Sequence, residues 1–159
     1  MKQKELSVWL RVVVVLIGVA VVFLGAVFLP MLGREAAEMN EELSYLFWPC
    51  LLYLEATILP VLAALALAWL IFAEIGRDNS FCMANARRLR AISILALVDT
   101  LLYILWIIAL GLLGALHPGV LIGSVCIVFM GVGFTVGAAA LSHLARKAAA
   151  LKDENDLVI

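Results

Sequence analysis

Apolar residues along this chain fall into four long runs, at about 12–33, 46–73, 91–116 and 119–145, parted by short polar connections. About 20 apolar residues at 1.5 Å rise per residue cross the hydrocarbon of a bilayer, so each run is long enough to span. The predicted fold is all-α: a single membrane domain over 1–159, built as a bundle of four transmembrane helices. Local signals place the ends of the spans. Trp9 and Arg11 open the first at an interface, and Pro30 and Gly33 are expected to close it. The segment 34–44 has an acidic face and reads as a short surface helix. Tyr45, Phe47 and Trp48 form an aromatic belt where the second span begins, with Pro49 in its first turn, and Trp69 and Phe72 mark its other end. Gly76 to Ser80 read as a turn, with Asn79 or Ser80 as N-cap and the helical pattern resuming at Phe81. His117-Pro118-Gly119 is a tight turn, so the third and fourth spans are expected to form an antiparallel hairpin.

Charge adds orientation. If the chain weaves back and forth, ten of its eleven Lys and Arg residues fall on one side: Lys2, Lys4, Arg11, Arg77, Arg87, Arg88, Arg90, Arg146, Lys147 and Lys152. Only Arg34 falls on the other, among Glu35, Glu38, Glu41 and Glu42. The positive-inside rule then predicts both termini in the cytoplasm, N-in and C-in. Such a basic inner rim is attracted to anionic lipid headgroups by about 1 kcal/mol per cation, which makes the inner leaflet its first expected partner. Composition agrees: 66% hydrophobic and 14% charged residues exclude an ordinary soluble domain. The first run exceeds the roughly 7–15 apolar residues of a signal peptide and is read as a retained helix. Cys50, Cys82 and Cys126 are odd in number and show no Cys-x-x-Cys spacing, so no disulfide framework or metal motif is expected.

Two carboxylates stand out inside the apolar runs. Asp99 lies nine residues past Arg90, roughly 13 Å into the membrane. Small residues of the other spans are expected at that depth, with Thr135 and Tyr103 as hydrogen-bond partners for the acid. It reads either as polar glue between helices or as a ligand, ion or proton site. Glu55 precedes Thr57 and Pro60, and the proline leaves the Ala56 carbonyl without its helical donor. A carboxyl, a hydroxyl and a freed carbonyl are thus candidates for a small polar pocket, unless Glu55 simply reaches the headgroups. His117 and His143 lack companions at ligand spacing, so no metal is expected. Nucleophile elbows, phosphate loops and paired catalytic acids are absent from the sequence, so neither enzymatic activity nor a cofactor is expected. The fourth span carries Gly119/Gly123 and Gly133/Gly137, two small-xxx-small pairs that allow close helix approach, either within the chain or in a homo-oligomer.

Two further stretches carry a resemblance. Gly76, Phe81, Asn85, Arg88, Leu89 and Arg90, entering the third span, are similar to the connection in an uncharacterised bacterial membrane family, domain of unknown function 2975. The closing Leu151-Lys152-Asp153-Glu154-Asn155-Asp156-Leu157-Val158-Ile159 resembles that family's last segment. Cys82-Met83 departs from the family's polar helix-start pair. The resemblance implies a bacterial inner-membrane protein with no established activity. It also implies, through the genes that often neighbour such members, a cytoplasmic helix-turn-helix regulator as partner, with no direct nucleic-acid binding by this chain.

The two family-like stretches both sit on the predicted cytoplasmic face. Phe81, Asn85, Arg87, Arg88, Leu89 and Arg90 are candidates for docking, as are Asp153, Glu154, Asp156, Leu157 and Ile159. The tail is expected to fold back so that its carboxylates meet the arginine cluster, with Leu157 and Ile159 near Phe81 and Leu89. The expected function is a regulatory or interaction component, with small-molecule transport or resistance through Glu55 or Asp99 as the alternative.

Overall fold

The computed structural model describes residues 3–156. Helix α1 (Gln3–Phe23) passes through a π-helical turn (Leu24–Phe28) into α2 (Leu29–Met39). A 3-10 turn (Glu41–Leu46) leads to α3 (Phe47–Ile75), followed by α4 (Met83–Leu112) and α5 (Pro118–Asp156). The four spans are therefore α1–α2, α3, α4 and α5, each long and apolar enough to cross a membrane. The most apolar stretch of each is no more than 17% buried inside the protein. Side chains such as Leu16, Leu59, Leu105 and Phe129 face outward, as they do where lipid replaces a hydrophobic core.

The first span does not end at Pro30 and Gly33. Proline cannot donate to the carbonyl four residues back, and its ring clashes with that carbonyl. Widening the helix immediately upstream into an i→i+5 turn, with the Leu29 N–H on the Leu24 carbonyl, lets the chain absorb Pro30 without breaking. Gly33 serves packing instead: a Cβ there would lie 2.9 Å from the Phe47 ring. The stretch 34–44 is thus not a separate surface helix: Glu35 and Glu38 lie in the last turns of one helical segment of 37 residues, and Glu41 and Glu42 open the 3-10 turn.

Two of the other helix ends follow the same C-terminal design. After α4, Gly114 adopts φ +68° while Ala115 N–H bonds the Leu110 carbonyl and Gly114 N–H that of Gly111. After α3, Asp78 takes the left-handed position at φ +63°, with Asn79 N–H on Glu74 and Asp78 N–H on Ile75. Aspartate is among the few residues with a side chain that tolerate this conformation. Helix α4 starts at Met83 rather than Phe81, and its N-cap is the extended Cys82, without a side-chain cap; neither Asn79 nor Ser80 caps it.

The helices lie side by side in chain order. Helix α3 packs on α1, α4 on α3, and α5 on α4, while among the described residues α1 touches neither α4 nor α5. Neighbours run antiparallel, and the expected α4–α5 hairpin is present. Ile71, Ile92 and Ala138 form the small core shared by α3, α4 and α5.

Candidate functional site: the polar contacts at the basic end

The α4–α5 seam is set by a heptad spacing of small residues. Ser124, Val128, Gly131, Thr135, Ala138, Ser142, Ala145 and Ala149 recur every three or four positions, and all are buried or half-buried. That is the seam period of packed helices, and the small side chains let the backbones close in. Ser142 Oγ donates to the Ala86 carbonyl at 2.8 Å and Ser93 Oγ to the Thr135 carbonyl at 2.9 Å, both across the seam. A Cβ on Gly131 would meet the Thr100 hydroxyl. The glycine pairs expected to serve this packing do not. Gly123, Gly133 and Gly137 face open space, and Gly119 meets only its own His117.

At the end of the bundle that carries the cations, the polar contacts become dense. Asn85 is 1% exposed and is the largest fully buried side chain among the described residues. It stands in the first turn of α4, where its amide N–H reaches back to the Ser80 carbonyl at 3.1 Å. Its amide oxygen accepts from Arg88 Nη1 at 2.9 Å. The same Arg88 nitrogen lies 3.9 Å from Glu74 Oε1 at the end of α3, and Arg77 approaches Glu74 at 3.7 Å. A buried amide that pairs on both sides ties the 76–82 connection to the two helices it joins. Ser7 on α1, 2% exposed, donates to the Phe72 carbonyl at 2.5 Å. Gly76 makes that approach feasible, since a Cβ there would stand 2.7 Å from Ser7 Oγ.

This network divides the expected docking residues. Asn85 is buried, Arg88 is half-buried with its guanidinium turned onto Asn85, and Leu89 packs against the Ile71–Ile92–Ala138 core. Phe81, Arg87 and Arg90 are exposed. The back-folded tail is not observed over the described residues. Helix α5 continues without a bend in its pattern to Asp156, and Glu154, twelve residues past Ser142, lies roughly 18 Å beyond the level of Ala86. No arginine side chain near the start of α4 spans that gap while the helix persists. The side chains of Asp153 and Asp156, and all of Leu157 and Ile159, lie outside the described residues. Sequence reasoning also passed over Ser7, Glu74, Ser93 and Ser142: the serine-to-carbonyl bonds have no local motif, and of the two Glu74 pairs only the i,i+3 one with Arg77 is marked by spacing.

The intramembrane candidates do not assemble into one site. Asp99 is half-buried on α4, and its Oδ1 is enclosed without a hydrogen-bond partner. Thr135 Oγ1 is likewise enclosed and unpaired, and among the described residues neither Thr135 nor Tyr103 bonds Asp99. Tyr53 on α3 is engaged with α4 elsewhere. Its hydroxyl donates to the Leu102 carbonyl at 2.7 Å, and its ring stacks on Trp106 at 5.2 Å. Glu55 is half-buried with no ion pair among the described residues, while Thr57 spends its hydroxyl on the Leu54 carbonyl within its own helix. Helix α3 runs unbroken through Pro60. The three cysteines are free, and no cluster of His, Cys, Asp and Glu suited to a metal occurs among the described residues.

Comparison with known proteins agrees with the membrane reading. The chain is 26% identical over 155 residues to the Bacillus subtilis (strain 168) protein described as uncharacterized membrane protein YoaS, covering 96% of this chain and 97% of that one. No solved structure matches. The family model for proteins of unknown function DUF2975 matches residues 31–159, from the end of the first span through the basic end to the C-terminus. This multi-pass, four-helix membrane protein belongs to the DUF2975 family.

Proposed function

We propose that this protein is an interaction component of the bacterial inner membrane, oriented with its basic end in the cytoplasm and engaging a cytoplasmic partner there. The observation that carries this reading is the buried Asn85, held between the Ser80 carbonyl and Arg88. A fully enclosed amide at the membrane edge is costly unless it fixes something, because buried polar groups must be paired. What it fixes is the 76–82 connection, and with it the outward display of Phe81, Arg87 and Arg90. An exposed apolar ring and two exposed cations at the same end of the bundle make a surface suited to an acidic partner segment. A helix-turn-helix regulator is the partner class that the family resemblance favours, and the cations at the lipid edge face headgroups rather than nucleic acid.

The test is purification in mild detergent with identification of co-eluting chains, repeated for Phe81→Ala and Arg87→Glu. Retention of one cytoplasmic chain by the parent and its loss from both variants would support the reading; identical elution profiles would sink it.

Asp99 favours a second reading, that of a small transport or resistance protein. An enclosed carboxyl oxygen without a partner inside a membrane span is a functional-site hypothesis by default. Electrogenic uptake in proteoliposomes that disappears in Asp99→Asn would shift the assignment to that class.

A further inference from the structure

Two arginines stand near the basic end at the lipid-facing helices, and they are treated differently. Arg88 is satisfied by Glu74, Asn85 and the Leu70 carbonyl. Arg11, on α1, lies four residues deeper than Ser7, about 6 Å further along the helix. Its guanidinium sits over the Trp69 ring of α3 at 5.4 Å from the centroid. Its Nε is enclosed and has no hydrogen-bond partner. Among the described residues no carboxylate lies within ion-pair distance of it, Glu5 included. With Nε enclosed, the terminal nitrogens are the donors this guanidinium can present, and such a pair matches a phosphate in two-point fashion.

The surroundings of Arg11 specify what brings the phosphate. A hollow of about 360 Å³ opens beside it, lined by Val8, Arg11, Val12, Val15, Leu16 and Trp69. Val8, Val12 and Val15 recur at helical spacing on one face of α1, and Trp69 closes the hollow from α3. The groove is open and almost wholly apolar, and it holds a single charged residue. A free anion would find one cation and an apolar wall. An amphiphile with a phosphate beside hydrocarbon chains would satisfy both.

We propose that this groove binds an anionic phospholipid, with an acyl chain along the valine face of α1 and the phosphate on the terminal guanidinium nitrogens of Arg11. This is a discrete site, separate from the diffuse attraction of the exposed basic residues for a charged bilayer surface. It is independent of any protein partner at Phe81. An unpaired guanidinium within a membrane span is expensive, and a phosphodiester from the surrounding lipid is the counter-charge available at that depth.

The experiment reconstitutes the full chain in phosphatidylcholine vesicles containing traces of spin-labelled phosphatidylglycerol or spin-labelled phosphatidylcholine. The motionally restricted fraction of each label is read by electron paramagnetic resonance. The wild type is expected to hold the phosphatidylglycerol label about fivefold more strongly, the factor equivalent to about 1 kcal/mol. R11Q should abolish the preference, R11K should retain part of it, and V12W should release both labels by filling the hollow. R146Q, which removes an exposed cation on α5, should leave the preference intact. Equal retention of the two labels by the wild type overturns the proposal. So does a preference that survives in R11Q with helix content unchanged, one lost equally in R146Q, or one cancelled by excess inorganic phosphate. If R11Q fails to insert, V12W decides: full phosphatidylglycerol retention in that variant is also a negative result.

Discussion

Arg88 donates to the amide oxygen of Asn85 at 2.9 Å, so the one fully buried large side chain among the described residues is reached by a cation from the rim. One nitrogen of Arg88 serves both this amide and Glu74, and Asn85 passes the constraint on to the Ser80 carbonyl. The 76–82 connection is therefore held by the capping turn at the end of α3 and, on its α4 side, by a relay through side chains in place of an N-cap bond. Asn85→Ala removes one acceptor and one donor from an enclosed site, with an expected cost of about 1–3 kcal/mol. Asn85→Asp keeps the acceptor for Arg88 and loses only the bond to Ser80, so it should cost less. Thermal unfolding in detergent ranks the two, and faster thiol labelling of Cys82 in Asn85→Ala would report the loosened connection.

Gly76 and Ser7 form a coupled pair. Gly76→Ala places a methyl 2.7 Å from Ser7 Oγ and should displace the Ser7 bond to the Phe72 carbonyl. Ser7→Ala alone should cost about 0.6 kcal/mol, the average for a hydrogen bond between membrane helices. The double variant is expected to be less damaged than the sum of the single ones, a signature of direct contact. Additive losses would mean that the two positions act separately.

The fourth-span glycines separate packing within the chain from self-association. Gly131→Leu drives a side chain into Thr100 and should destabilise the monomer by about 1–3 kcal/mol. Gly137→Leu points into open space and should leave monomer stability within about 0.5 kcal/mol. If a homo-oligomer forms through the open glycines, cross-linking will detect its loss in Gly137→Leu; unchanged cross-linking would remove those glycines from any interface.

Asp99 now carries a prediction of opposite sign to the glue reading. An acid that bonded its neighbours would be missed by about 1 kcal/mol in Asp99→Leu. With Oδ1 enclosed and unpaired, Asp99→Leu is expected to hold or raise the melting temperature, because leucine favours the hydrocarbon. A clear loss of stability would mean that the carboxyl has a partner.

Orientation is tested by labelling intact cells with a membrane-impermeant thiol reagent. Cysteines introduced at positions 34–44 should react, whereas Cys82 and cysteines placed after Lys147 should not. Labelling of the 77–87 segment would reverse the orientation and remove the cytoplasmic partner from consideration.

Much of the architecture was legible because the bilayer imposes it. A span must carry enough apolar residues to cross hydrocarbon and must bond its own backbone, so four long apolar runs could hardly be anything but four helices. The sorting of cations to one end follows from their positions between the four apolar runs, and Pro118-Gly119 announced the hairpin. What tertiary structure decided is the pairing of polar groups. Serine-to-carbonyl bonds such as Ser142 to Ala86 depend on the phase and axial offset of two helices, and a carbonyl is present at every position, so no local pattern marks the one that is used. The same offset turned Gly131 toward Thr100 and left Gly133 and Gly137 facing outward, although all three look alike in sequence. Pro30 is a breaker by its local chemistry, yet a π turn absorbed it, because widening a helix by one residue satisfies the backbone where ending it within lipid would not. Asn85 reads in the sequence as one polar residue among several in a basic stretch. Only the approach of Ser80 and Arg88 around it made it the centre of the basic end.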